Sequence, residues 1–232
     1  MQAIKALGAL LLYPQEGMIE ALDEIQQVIE GEPLLGPEQI LALSRFIAEM
    51  RNQGLLDLQE KYVELFDTAP ARALHLFQHL YGDSSERGQA MVDMIEQYRA
   101  HGYQPMSSEL PDYLPMFCEF AAQFPEPEAR VLLGRALPVL EVLERRLEDA
   151  GSAYRAVFSA LITLAESDEE TAAIAQLLNT RTQADTDEPT IDEAWNEPSV
   201  TFSVPSAHLN NAQGGAGMPI TPESLGNRKR NR

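Results

Sequence analysis

The chain has 232 residues, 44% of them hydrophobic, which is enough for one large domain or one domain with a tail. Its 36 acidic residues outnumber 17 Lys and Arg, so the net charge is −19. Such a surface repels phosphate backbones and anionic lipid, which excludes nucleic acid and membrane headgroups as main partners. A cationic peptide or basic protein segment is a suitable partner, although acidity alone also keeps a protein soluble.

The N-terminal apolar run, 6–12, has no small-residue cleavage site behind it, unlike a signal peptide. Ile4, Leu7 and Leu11 recur at helical spacing, so we predict a packed first helix. No run approaches the ~20 apolar residues that a membrane span needs. Cys118 is the only cysteine, which excludes an intrachain disulfide and favours a reducing compartment. We expect a cytoplasmic protein that is neither exported nor embedded.

Helical periodicity continues along the chain to about residue 178, with no alternating strand pattern. After the first helix, the predicted helices are 18–29, 37–50, 55–66, 85–99, 111–123, 127–138, 138–149, 154–164 and 167–178. Prolines 37, 111 and 127 are placed at first helical positions, and Gly151 is placed at a helix C-cap. Ser167 to Glu170 reads as a capping box for the last helix. We predict an all-α fold, a single helical bundle domain over residues 1–179.

Residues 180–232 differ in composition, because Asp, Thr, Asn, Gly, Ser and Pro dominate there. We predict a low-complexity, largely disordered C-terminal tail. Within it, segment 191–204 contains the only tryptophan, Trp195. This segment is either a short docking motif or part of a loosely attached tail, and the sequence leaves both interpretations open.

Two short motifs lie in the middle of the chain. The first, Tyr-Val-Glu-Leu-Phe-Asp, occupies 62–67, and the second, Glu-Leu-Pro-Asp-Tyr-Leu-Pro, occupies 109–115, with Glu-Arg-Gly-Gln at 86–89 between them. Together they resemble the NarJ-type chaperones, the delta subunits that assemble respiratory nitrate reductase, within a wider all-helical family of molybdoenzyme chaperones. The resemblance covers roughly the first three quarters of the chain. Tyr113 stands where that family often has histidine.

Residues typical of catalysis are scarce. The sequence has no Gly-rich phosphate loop, cysteine cluster or serine nucleophile elbow, so we predict that the protein is not an enzyme. His75 and His79 have the i, i+4 spacing of two metal ligands on one helix, but no third ligand is evident. An ordinary half-buried helix face is the favoured interpretation, with no metal and no cofactor. Cys118, between two phenylalanines, is interpreted as a buried small hydrophobe.

Glu109 and Asp112 flank Pro111, which is predicted to open a helix. The helix dipole alone accounts for carboxylates at that end, and a general acid–base pair is a second interpretation that lacks a nucleophile. A third is recognition, with the two carboxylates beside an apolar groove that binds an amphipathic peptide helix with basic flanks. Asp67 is predicted at a helix C-terminus, against the dipole, and is expected to have Arg72, Arg87 or a ligand as its partner.

The predicted partner-binding set combines the aromatic residues and carboxylates of the two motifs. Its members are Tyr62, Phe66, Asp67, Glu109, Asp112 and Tyr113.

The resemblance implies an assembly chaperone. Such a protein would bind the apo catalytic (alpha) subunit of a respiratory nitrate reductase in the cytoplasm, including its N-terminal segment, a remnant twin-arginine-like signal. It would permit molybdenum cofactor insertion before membrane docking, with cofactor-delivery proteins as further partners. The alternative is a sister chaperone that binds the twin-arginine signal peptide of another molybdenum oxidoreductase. A small helical enzyme and a passive scaffold are weaker alternatives from other classes.

Overall fold

A computed structural model describes residues 1–104, 109–168, 171–176 and 178, and these residues are predominantly helical. The α-helices are α1 Gln2–Ala9, α2 Glu16–Glu20, α3 Leu22–Glu30, α4 Pro37–Asn52, α5 Leu55–Tyr62, α6 Leu76–Tyr81, α7 Ser85–Ala100, α8 Leu114–Ala121, α9 Glu126–Gly134, α10 Leu137–Asp149 and α11 Arg155–Leu164. A π-helix, Val63–Asp67, follows α5, and a 3-10 turn, Pro70–Arg72, precedes α6. Among the described residues the β-type pairing is a single bridge between His75 and Tyr113, so the all-α prediction is confirmed.

The first helix lies in the core of the bundle. It packs against α3, α8 and α11, and its side chains Ile4 and Leu7 are fully buried. The contact with α8 is close, because a Cβ added at Gly8 would lie 2.6 Å from the Cβ of Cys118. The predicted packed N-terminal helix is therefore confirmed, and glycine is what allows this approach.

The fourth helix begins where the sequence predicts, with Pro37 in its first turn. The side chain of Gln39 accepts a hydrogen bond from the Gly36 amide at 2.8 Å and donates to the Thr163 hydroxyl at 3.0 Å. The start of α4 is thereby capped and joined to α11, against which it also packs.

Two predicted helices are interrupted in the structure. The predicted helix 18–29 breaks at Ala21, which closes a tight turn between α2 and α3. Leu22 and Ile29 of α3 are buried, whereas no residue of α2 is fully buried. The predicted helix 55–66 changes to a π-helix after Tyr62, where the Thr68 amide donates to the Val63 carbonyl at 3.0 Å. Both predictions as single α-helices are wrong.

The helix predicted from Pro111 begins instead at Leu114, with Pro115 in its first turn. Pro111 does not open it, because Asp112 and Tyr113 pair with the segment that leads into α6. This correction decides where the two motif carboxylates lie.

Near the end of the described chain, Gly151 has φ 62° and follows α10, as a C-cap glycine does, which confirms that prediction. Residues 171–176 are helical, and the start of this turn is capped by Asp168, whose carboxylate accepts from the Thr171 amide at 2.9 Å. Glu170, the other end of the predicted box Ser167 to Glu170, lies outside the described residues. The predicted boundary near 180 and the tail 180–232, including Trp195, lie outside the described residues.

No helix in the described part of the chain combines the length and hydropathy that crossing a membrane requires. Cys118 of α8 is fully buried against α1, as predicted for a small hydrophobe.

We expect the thiol of Cys118 to be inert in the folded protein. Burial raises its pKa to about 12, so the reactive thiolate is scarce at pH 8, and the reagent has no access. A colorimetric disulfide reagent should detect no thiol in native protein and the single cysteine of the chain after denaturation. Rapid native reaction would show that α8 separates readily from α1.

Candidate partner-binding groove

The end of the segment 109–113 is bonded to the start of α6. The Asp112 carbonyl accepts from the Leu76 amide at 3.0 Å, and the Leu114 amide donates to the Leu74 carbonyl at 2.8 Å. His75 and Tyr113 form the β-bridge between these two bonds. Residues that are 35 or more positions apart in the chain therefore form one continuous wall.

The Asp112 side chain lies inside this wall and is fully buried. Its Oδ2 accepts from the Phe77 amide at 2.9 Å, so it caps the N-terminus of α6, while Oδ1 has no hydrogen-bond partner among the described residues. Burial raises the pKa of the Asp112 carboxyl, and the Phe77 amide and the nearby His75 and Arg87 oppose that rise. The sequence correctly placed Asp112 near a helix N-terminus, but assigned it to the wrong helix.

Aromatic rings form the floor next to this wall. Tyr62 and Phe66 are each 3% exposed, with their ring centroids 5.0 Å apart, and Phe66 packs edge-on against Tyr154 at 5.0 Å. The Tyr62 hydroxyl donates to the Leu11 carbonyl at 2.9 Å and lies 3.1 Å from the Tyr113 hydroxyl. Because the proton of Tyr62 is used on Leu11, its oxygen is left to accept from Tyr113.

Wall and floor enclose an open groove of about 580 Å³. Five of the six predicted partner-binding residues line it, and Asp112 lies behind the wall instead. The lining comprises Tyr13, Gln15, Tyr62, Phe66, Asp67, Pro70, Ala73, Leu74, His75, Gln78, Glu109 and Tyr113.

The π-helix contributes one buried and one exposed residue to the end of the groove opposite the wall. Phe66 points into the core and Asp67, the next residue, is exposed. π-helical turns are rare and occur often at functional sites. Here the wide turn is stabilised by the Thr68 hydroxyl, which donates to the Glu64 carbonyl at 2.9 Å.

The groove is electronegative. Asp67 and Glu109 supply carboxylates, and no lysine or arginine is among the described residues that line it. Burial raises the pKa of the Tyr113 hydroxyl, and both of these carboxylates raise it further. His75 is their neighbour, since its Nε2 lies 3.9 Å from Glu109 and its ring packs beside Tyr113 at 5.4 Å. Such a site favours a cationic group on its ligand.

Asp67 has a different environment from the one predicted. Among the residues that the structure describes, it makes no ion pair with Arg72 or Arg87. Arg72 instead donates from Nε to the Leu65 carbonyl at 2.9 Å. The charge of Arg87 acts to lower the pKa of the Asp112 carboxyl. The expected ion pair of Asp67 with Arg72 or Arg87 is therefore absent from the described residues, and its role toward a ligand stays a prediction.

The two histidines do not form a metal pair. His75 precedes α6 in an extended conformation, whereas the Nε2 of the buried His79 lies 2.8 Å from the Ala73 carbonyl. No group of three metal-ligating side chains occurs in the described ranges. His75 and Tyr13 do line the groove, although neither is in the predicted partner-binding set. The one available signal for Tyr13 was its aromatic ring directly after the first helix.

Residues 16–160 match the family model described as nitrate reductase delta subunit. The chain is 37% identical over 196 residues to the nitrate reductase molybdenum cofactor assembly chaperone NarJ of Escherichia coli strain K12, covering 84% of this chain and 83% of that protein. It is 31% identical over 229 residues to the probable assembly chaperone NarW of the same strain, covering 96% of each.

A probable NarJ of Bacillus subtilis strain 168 is 30% identical over 163 residues, which cover 70% of this chain and 87% of that protein. These relatives are assembly chaperones rather than catalysts, which agrees with the prediction of a non-enzymatic protein. The family match spans both sequence motifs and every element of the groove except the loop after α1. The chain belongs to the nitrate reductase delta subunit family.

Proposed function

We propose that the protein is an assembly chaperone that binds the apo catalytic subunit of a respiratory nitrate reductase in the cytoplasm. The groove takes that subunit's N-terminal segment as an amphipathic helix. Binding holds the subunit in a form that accepts the molybdenum cofactor and delays membrane docking. The observation that supports this most is the convergence of five motif residues, distant in sequence, on one groove.

The aromatic floor and the carboxylates suit the two faces of such a helix. The buried rings of Tyr62 and Phe66 support the floor, and the exposed Tyr13 on the rim and the half-buried Tyr113 offer apolar surface to the nonpolar face. Asp67 and Glu109 are exposed and suit basic residues that flank the apolar face. Helix-in-groove recognition of this kind is a common mode of peptide binding.

The overall negative charge of the protein also favours binding of a basic segment. A net charge of −19 attracts a basic segment and accelerates its association at low ionic strength. A chaperone must also release its client, so it has to bind the immature form more tightly than the mature one. Equal affinity for the two forms would shift no population.

Replacing Asp67 by asparagine and Glu109 by glutamine should weaken binding of the catalytic subunit's N-terminal peptide. Each change should cost about 0.5–2 kcal/mol of binding free energy and reduce the salt dependence, because each removes an exposed charge without changing side-chain size. Calorimetric titration at two salt concentrations measures both effects.

The matched control is Glu96→Gln, an exposed glutamate of α7 that does not line the groove. It should leave the affinity nearly unchanged, and thermal melts of all variants should agree closely. If the control and the groove variants weaken binding equally, the effect is one of net charge and the groove is not the binding site.

A further inference from the structure

We infer that Asp112 is a positioning residue for the client segment: it joins the start of α6 to the segment 109–113 and does not touch the client. This inference rests on the proposed function, because it assumes that the groove holds a client. Asp112 would thus contribute to affinity through its hydrogen bonds and not through its charge.

The first observation is access. Asp112 is fully buried, whereas the side chain of Glu109, three residues earlier, is 49% exposed. A client in the groove meets Glu109 and Tyr113, which line it, but not the carboxylate of Asp112. Direct recognition of a basic residue by Asp112 would require the wall to open.

The second observation is the pair of bonds that Asp112 makes. Its carbonyl accepts from the Leu76 amide and its Oδ2 from the Phe77 amide, at 3.0 and 2.9 Å. These are amides of the first turn of α6, which have no partner within the helix. One residue thus satisfies both, and in doing so fixes the distance between α6 and its own segment.

The third observation is what these bonds hold in place. Leu74, His75 and Tyr113 all line the groove. Leu74 and His75 come just before Leu76, whose amide donates to Asp112, and Tyr113 directly follows Asp112. The Leu114–Leu74 backbone bond does not depend on the Asp112 side chain. Loss of the carboxylate should therefore loosen the wall without detaching it.

Asparagine and alanine separate positioning from charge. In Asp112→Asn the side-chain oxygen still accepts from the Phe77 amide, and the charge is lost. In Asp112→Ala both are lost, and the Phe77 amide has no acceptor. Positioning thus predicts that asparagine preserves binding and alanine does not, whereas direct charge recognition predicts that both lose it.

The experiment titrates the catalytic subunit's N-terminal peptide into the full-length wild-type chain and both variants, and follows amide hydrogen exchange at Phe77. We expect the Asp112→Asn dissociation constant to stay within about threefold of wild type, and that of Asp112→Ala to rise about tenfold, with an unchanged salt dependence. The Phe77 amide should be protected in wild type and Asp112→Asn, and should exchange faster in Asp112→Ala.

A large loss of affinity in Asp112→Asn overturns the inference, and so does wild-type affinity in Asp112→Ala. If the alanine variant fails to fold, Asp112→Ser takes its place, because its hydroxyl is one bond shorter than the carboxylate and holds the Phe77 amide less well. Positioning predicts weaker binding for Asp112→Ser than for Asp112→Asn, and equal wild-type affinity in both overturns the inference. Failure of the wild-type chain to bind the peptide would instead reject the proposed function. In that case, the exchange measurement would still test the capping bond.

Discussion

Replacing Phe66 by alanine is expected to lower the free energy of unfolding by about 3–5 kcal/mol. Phe66 is only 3% exposed, and its ring packs against those of Tyr62 and Tyr154, so the truncation removes a large buried side chain from an aromatic cluster. A loss of this size is a large part of the about 5–15 kcal/mol that stabilises a typical domain. Chemical denaturation followed by circular dichroism measures it.

The control is Leu56→Ala on α5, ten residues earlier, where the side chain is 75% exposed. That change should stay within about 0.5 kcal/mol of wild type. Equal effects at the two positions would mean that Phe66 is not packed as the structure shows. Because Phe66→Ala disturbs the fold, the apolar part of client binding is better tested at Tyr13, which is 40% exposed on the groove rim.

Gly134→Ala should destabilise the protein by about 1–3 kcal/mol, as overpacking does. A Cβ at this last residue of α9 would lie 2.0 Å from the Glu166 carbonyl oxygen, which belongs to the backbone. The chain at Glu166 cannot easily move away, because two hydrogen bonds hold it to α9. The Glu166 amide donates to the Arg130 carbonyl at 3.0 Å, and Arg130 Nε donates to the Leu164 carbonyl at 3.1 Å.

A matched variant, Gly88→Ala in α7, should have the opposite sign. A Cβ at Gly88 would meet nothing within 4 Å, and alanine favours a helix interior over glycine by about 0.5–1 kcal/mol. Thermal melts should therefore move down for Gly134→Ala and up for Gly88→Ala. If both melts moved in the same direction, the close contact between α9 and Glu166 would be contradicted.

Much of the fold and of the groove could be predicted from local sequence patterns. Apolar spacing is sufficient to predict most helices, and Pro37 and Gly151 mark the ends of two of them. Tyr62 and Phe66 lie four residues apart in the predicted helix 55–66, a spacing that places two side chains on one face, and they form the floor together. Features that depend only on neighbours within a few residues are visible in the sequence.

Long-range pairing could not be predicted in the same way. Asp112 looks like a first-turn residue of its own helix, but its capping bond goes to Phe77, 35 residues earlier. The π-helix was also missed, because five residues, Val63–Asp67, are too few to establish a distinct period. A tertiary contact overrode the local pattern at Asp112, and both Asp112 and the π-helix border the groove.

The most direct test of the chaperone role compares the binding of apo and cofactor-loaded nitrate reductase catalytic subunit to the full-length protein. The Asp67→Asn, Glu109→Gln double variant serves as the control for binding through the groove. We expect the apo subunit to bind at least about tenfold more tightly, a difference of about 1.4 kcal/mol, and the double variant to lose most of that binding. Equal affinity for the two forms, or selective binding of another molybdenum oxidoreductase in place of this subunit, would contradict the proposal.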